Sequence, residues 1–248
     1  MVVFITGATA GFGRAMVKKY INAGDTVIAT GRRKSVLDEL RLEHGERLYP
    51  LELDIQNKEL VEKQLSALTG DLKNIDVLIN NAGLALGMDS AQKATLSDWE
   101  QMVDTNIKGL LYCTHAILPG MVERGRGHII NLGSVAGEFP YPSGNVYGAT
   151  KAFVHQLSLN LRADLLGTPV RVTCIEPGMC SGTEFSAVRY KGDQKKADAV
   201  YAGMKALSAE DIAETVHWVT TRPPHVNINV ISLMPTQQAF GSFAVNRT

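Results

Sequence analysis

Cysteine is scarce in this chain: there are three residues in 248, and Cys113, Cys174 and Cys180 form no CxxC pair and have no histidine at ligand spacing. That excludes a disulfide framework and leaves small, semi-buried thiols of a reducing compartment. No apolar run approaches the 18 residues of a membrane-spanning helix. The opening MVVFITGA lacks the basic n-region and long apolar core of a secretion signal, so a cytoplasmic protein is expected. Neither sign of charge is in excess. Lys+Arg and Asp+Glu total 25 each, so no general field draws the chain to nucleic acid or an anionic membrane, and neither is expected as a partner. His115, His128 and His155 are scattered, and no metal is expected.

What is present is an alternation of short β-rich runs and longer helix-period segments. The runs Val2–Thr6, Thr26–Thr30, Leu48–Leu53, Ile75–Asn80, His128–Ser134, Val170–Glu176 and Asn229–Met234 read as strands. Pro50 assigns the third to an edge or irregular position. Helices are expected over about Gly11–Ala23, Ser35–Glu43 and Asn57–Leu68. A long helix opens at a capping box of Ser97 and Glu100, another runs through Tyr147 to about Leu166, and Ser208 with Asp211 caps a last one. Six or seven strands separated by helices predict an α/β fold. The expectation is a single-domain, Rossmann-like, doubly wound parallel sheet of about seven strands over 1–248, with helices on both faces. Residues 182–207 are polar and weakly periodic, and read as an insertion or mobile lid.

The stretch TGATAGFG (Thr6–Gly13) follows the first strand and opens the first helix. Its glycines permit a tight turn and let the backbone approach a pyrophosphate at the helix N-terminus. The spacing TGxxxGxG is one residue longer than GxGxxG, but its place within a βαβ unit points to dinucleotide binding. At the end of the second strand, where an acid would hold the ribose of NAD, the chain reads ATGRRK. With Gly31 in place of that acid, Arg32 and Arg33 either hold a 2′-phosphate, favouring NADP, or simply open the next helix in solvent. Asp54, followed by Ile55, either accepts from the adenine amino group or caps a helix. Tyr147 and Lys151 lie four apart on one helix face. They are a tuned proton donor with its ammonium, or merely neighbours.

TGATAGFG, NNAG (Asn80–Gly83), Asn106, Ser134, YGATK (Tyr147–Lys151) and Pro177–Gly178 together resemble the short-chain dehydrogenase/reductase family, in its order and spacings over nearly the whole chain. NAGLALGM, GNVYGATKAF and GTEFSAVRYKGD are similar, more narrowly, to bacterial NADP-dependent dehydrogenases of 3-hydroxy acids such as serine and L-allo-threonine. The resemblance implies hydride transfer with NADP as cofactor and no metal. Tyr147 would be the acid in reduction and the base in oxidation, and Ser134 would hydrogen-bond the substrate oxygen. Lys151 would lower the phenol's pKa and hydrogen-bond the nicotinamide ribose, while Asn106 would support a water-linked proton relay. The cofactor would be lined by Gly7, Thr9, Ala10, Gly11, Phe12, Gly13, Arg32, Arg33, Asp54, Ile55, Asn81, Gly83, Tyr147, Lys151, Pro177, Gly178 and Thr183. Arg189 and Lys191 are cations available for a substrate carboxylate, or solvated residues of the lid. A homotetramer is implied as well. Two rivals share the motifs: a reductase of acyl-carrier thioesters or nonpolar ketones, and a non-catalytic dinucleotide sensor.

Overall fold

Successive side chains of a strand point to opposite faces, and here both faces are buried. In β1 (Val2–Ile5), Val3 and Ile5 face one hydrophobic cluster and Phe4 the other. The computed structural model describes residues 1–241; the last seven of the expected 1–248 unit lie outside the described residues. The other strands are β2 (Thr26–Gly31), β3 (Leu48–Glu52), β4 (Val77–Asn80), β5 (Gly127–Leu132), β6 (Val170–Pro177) and β7 (Val230–Leu233). All pair in parallel in the order β3-β2-β1-β4-β5-β6-β7. The order reverses between β1 and β4, which opens a crevice at their carboxyl ends. Pro50 lies on β3, an edge strand as expected, where a missing N–H costs no second ladder.

Helices α1 (Gly11–Asn22), α2 (Lys34–His44) and α9 (Ala209–Thr220) pack on one face through Met16, Val17, Leu37, Leu40, Ile212 and Val216. On the other face lie α3 (Lys58–Ser66) and α5 (Leu110–Glu123), which bury Val61, Cys113, Ile117 and Met121, and α6 (Asn145–Asp164). Ser208 and Asp211 form the expected capping box of α9. The box expected at Ser97 and Glu100 does not form. Helix α4 (Leu96–Val103) starts after Thr95, so Ser97 already lies inside its first turn, where it cannot cap. Nor is that helix continuous with α5. A π-helical turn over Asp104–Gly109 separates the two and carries Asn106. The segment 182–207 folds into two short helices, α7 (Phe185–Arg189) and α8 (Gln194–Ala199).

His128, on β5, is buried with its Nε2 2.8 Å from Thr173 Oγ1. That hydroxyl itself donates to Ile228 O, so Nε2 carries the ring proton, and Nδ1 is buried without a partner. Burial first, and Arg171 second, hold the imidazole down at about 3, against about 6.5 in an unfolded chain. A group with a depressed folded pKa contributes stability above its unfolded pKa. That contribution is lost, at about 1.4 kcal/mol per pH unit, as pH falls from 6.5 toward 3. Between pH 7 and 5, His128 therefore accounts for about 2 kcal/mol of lost stability in urea unfolding. His128→Gln is expected to lose correspondingly less over the same interval; equal losses in both proteins would remove His128 as the cause.

Candidate active site

The glycine turn is set by backbone that a larger residue cannot follow. Gly7 and Gly11 have φ of 65° and 46°, in the left-handed region that favours glycine. A Cβ on Gly13 would collide with Gly7 O and lie 2.8 Å from Asn81 Nδ2. Asn81 Nδ2 donates to Thr6 O (2.8 Å) and Gly7 O (3.2 Å), while Thr6 Oγ1 accepts from the N–H groups of Asn81 and Ala82. Asn81, expected to line the cofactor, thus ties the turn to the end of β4. The N-cap of α1 is Ala10, whose side chain supplies no hydrogen bond, so no side chain of the cap occupies the first-turn donors. An anion fits that end of the helix.

At the end of β2, Arg33 reaches back across the turn. Its Nε and Nη2 donate to Thr9 Oγ1 (3.2 and 3.0 Å), and Nη2 also donates to Thr9 O. Its Nη1 pairs with Glu184 Oε1 at 2.9 Å. Arg32 has no ion-pair or hydrogen-bond partner among the described residues and is exposed. Asp54 accepts from Gln56 N at 3.0 Å in a local turn, and the cap of α3 is Asn57 instead. Ile55 is buried against Gly109 of the π turn.

The acid/base set assembles where β5, β6 and α6 meet. Ser134 lies two residues past β5; its Oγ donates weakly to Pro177 O (3.4 Å) and accepts from Ala136 N (3.1 Å). Tyr147, in the first turn of α6, is buried with its ring against Phe185. Lys151, one turn on, holds Nζ 5.9 Å from that ring and donates to Leu132 O at 2.6 Å. Asn106 reaches them from the π turn. Its Nδ2 donates to Leu84 O (2.9 Å) and Thr150 Oγ1 (3.0 Å), and its Oδ1 accepts from Leu84 N (2.9 Å). Gly83 sits between: a Cβ there would be 3.2 Å from Asn106 Oδ1 and 3.4 Å from Lys151 Nζ. With both ends of its amide committed, the Asn106 side chain holds the backbone past Gly83.

The electrostatics depart from the expectation that Lys151 lowers the phenol. Burial raises the Tyr147 pKa well above its ordinary 10, and the groups that oppose this are the Ser134 hydroxyl and Arg189. Burial also pushes Lys151 down to about 8. Desolvation is the largest cause in both, because each charged form is withdrawn from water. Tyr147 is therefore held in its neutral, protonated form at physiological pH.

Segment 182–207 covers this centre. Its neck is closed by a parallel bridge between Cys180 and Leu207. Thr183 packs against Gly11, where an added Cβ would lie 3.2 Å from the Thr183 methyl. Arg189 stands 5.4 Å from the Tyr141 ring and 5.7 Å from the Tyr147 ring, with long contacts from Nε to Gly87 O and from Nη2 to Ser143 O. Its Nη1 has no acceptor among the described residues. Lys191 turns away, at φ 53°, to pair with Asp98 at 2.8 Å; of the two cations, only Arg189 faces the phenol. Pro177 meets Ser134, and Gly178 packs against Gln238, whose Oε1 accepts from Met179 N. Sequence reasoning missed Tyr141, Thr150, Phe185, Glu184 and Gln238. Thr150 lies inside YGATK, and Glu184 and Phe185 inside GTEFSAVRYKGD, but the motifs give them no role; Tyr141 and Gln238 lie outside every motif.

A sequence profile described as short chain dehydrogenase matches residues 1–194. The NADP-dependent 3-hydroxy acid dehydrogenase YdfG of Escherichia coli (strain K12) is 57% identical over 247 residues, covering 100% of both chains. The serine 3-dehydrogenase of Rhizobium radiobacter is 50% identical over 245 residues, 99% of this chain and 98% of that one. Among solved structures, a closed form of serine dehydrogenase complexed with NADP+ superposes with a TM-score of 0.99 at 57% identity, covering all of both chains.

Proposed function

The chain belongs to the short-chain dehydrogenase family, and on that premise we propose that it is an NADP-dependent 3-hydroxy acid dehydrogenase. It moves a hydride between NADP(H) and the hydroxyl- or carbonyl-bearing carbon of small 3-hydroxy acids such as serine, L-allo-threonine and 3-hydroxypropanoate. The observation that carries the substrate class is Arg189, a half-buried guanidinium with an unused Nη1 beside the Tyr147 ring. A carboxylate held there leaves a hydroxyl two carbons away within reach of the phenol.

Bound NADP(H) supplies or accepts the hydride, the difficult part of the chemistry. The protein's part begins at the free end of α1, whose first-turn N–H groups at Gly11, Phe12 and Gly13 hold the pyrophosphate, with Gly7, Thr9 and Ala10 shaping the turn. Arg32 and Arg33 hold the 2′-phosphate. Asp54 and Ile55 face the adenine, and Pro177, Gly178 and Thr183 the nicotinamide end. In reduction Tyr147 Oη gives its proton to the carbonyl oxygen, and Ser134 Oγ hydrogen-bonds the same oxygen. In oxidation the phenolate must accept that proton, which burial alone disfavours. The Lys151 ammonium, retained below about pH 8, offsets part of that cost and binds the nicotinamide ribose. Asn106 keeps the Gly83–Leu84 backbone in place beside Lys151 and supports the relay that restores the proton. Residues 182–207 act as a lid.

A substrate panel run with NADPH and NADH side by side tests this reading. Malonic semialdehyde with NADPH is expected to turn over fastest; a preference for acyl thioesters or nonpolar ketones would replace it with the rival reductase. In the same panel, Arg189→Ala is expected to raise KM for 3-hydroxy acids about tenfold and leave uncharged alcohols nearly unchanged. That is the loss of about one charge-assisted hydrogen bond. Equal effects on both classes would sink carboxylate binding.

A cytoplasmic homotetramer completes the reading. Leu111 on α5 and Leu166 just past α6 leave apolar surface for subunit contact, and the three thiols are free and buried. No helix among the described residues is long and apolar enough to cross a membrane. A light-scattering mass of one chain would overturn the tetramer.

A further inference from the structure

Behind the acid/base set lies a second group of reactive side chains that the proposed reaction does not use. His155 follows Lys151 by four residues on α6, and Cys174 and Glu176 share one face of β6. His155 Nδ1 lies 2.6 Å from Glu176 Oε1, and Cys174 Sγ lies 3.7 Å from the same oxygen. The three donor atoms all fall within 4.8 Å of one another. Cys174 and Glu176 are fully buried, while the His155 side chain is 32% exposed.

The charge balance of this cluster is unusual. A buried carboxylate is stabilised by a cation or by several hydrogen-bond donors. Among the described residues, the only cationic partner within ion-pair distance of Glu176 is His155, which is charged only when protonated. A thiolate, a carboxylate and a neutral imidazole together balance one divalent cation.

We propose that His155, Cys174 and Glu176 bind one thiophilic divalent cation of the zinc class, and that its occupation inhibits the neighbouring active centre. One sulphur, one nitrogen and one oxygen ligand form a donor set typical of such ions. Tetrahedral bonds of about 2.0–2.3 Å require donor–donor edges of about 3.3–3.8 Å. The Sγ–Oε1 separation already meets that, and His155, at the surface end of the cluster, opens the Nδ1–Oε1 contact by rotating. Its exposed edge is the entry path and leaves the fourth position to solvent. Binding displaces the Cys174 thiol proton to solvent.

Inhibition follows from what the ligands touch. Gly133 packs directly on this cluster, since a Cβ there would lie 2.8 Å from Cys174 Sγ and 3.0 Å from Glu176 Cγ. Gly133 precedes Ser134, and Glu176 precedes Pro177, whose carbonyl accepts from Ser134 Oγ. A bound cation ties α6 to β6 at this point and places positive charge one helical turn from the Lys151 ammonium, which it disfavours.

The test is titration of the chelator-treated, full-length protein with Co2+, then Zn2+. The expected result is one Co2+ per chain with a thiolate-to-cobalt charge-transfer band that Zn2+ abolishes. Cys174→Ser and His155→Gln should each lose the band while Cys113 and Cys180 remain. Stoichiometric Zn2+ should lower wild-type turnover at least tenfold and leave Cys174→Ser turnover unaffected. Three results would overturn the proposal: no stoichiometric binding, a band that survives Cys174→Ser, or equal Zn2+ inhibition of wild type and variant.

Discussion

Tyr147→Phe is expected to yield a folded protein that binds NADPH normally and hardly turns over. The substitution removes one oxygen from a buried ring and keeps the ring's packing against Phe185, so the core loses only the hydroxyl's volume. What disappears is the O–H proposed to give its proton to the substrate oxygen, together with its interaction with the Ser134 hydroxyl. A positioned general acid contributes about 10²- to 10⁴-fold, and kcat with malonic semialdehyde should fall by that factor. The NADPH Kd, read by fluorescence titration, should move by about fivefold or less, since one hydrogen bond nets about 1 kcal/mol. Turnover above one-tenth of wild type would transfer the proton step to another group, with Lys151 the first to examine.

The second large effect is predicted at Gly13, which touches no reacting atom. Adding a single methyl in Gly13→Ala drives Cβ into Gly7 O and against Asn81 Nδ2. The carbonyl is backbone, held in a turn of positive φ and tied to β4 by Asn81, so it cannot swing aside as a flexible side chain would. Overpacking of this kind costs about 1–3 kcal/mol, and relief requires moving the turn that presents the first N–H groups of α1. NADPH affinity is expected to fall about ten- to a hundredfold, with a lower Tm. A variant binding NADPH within threefold of wild type would show that the turn has slack this geometry denies it.

These two positions also mark what the sequence made legible. The glycine turn could be read because its cause is local: an apolar strand, glycines, and a helix start within a dozen residues. Tyr147 and Lys151 could be read because i and i+4 meet on any helix. The direction of the phenol's pKa could not, because it depends on how much water the folded chain excludes from both groups. Asn81 and Asn106 were recognised as site residues, but not the bonds they make within the fold: one pins the glycine turn and the other clamps Leu84. Lys191 and Arg189 stand two apart with the same charge, and only the left-handed backbone at Lys191 sends one to Asp98 and leaves the other by the phenol. The π turn between α4 and α5 has no periodicity signal separable from a continuous helix. His155, Cys174 and Glu176 lie on two different elements, so spacing rules for metal ligands pass over them.

The contact between Glu184 and Arg33 spans 151 positions and joins the first turn of the lid to the corner of the dinucleotide crevice. The far end of the same helix, Arg189, stands by the Tyr147 ring and is held there through Gly87 and Ser143. Both ends belong to one stiff helix of five residues, so neither moves without the other. Loosening either end of this helix therefore loosens the other, which couples the turn after β2 to the surroundings of the Tyr147 ring.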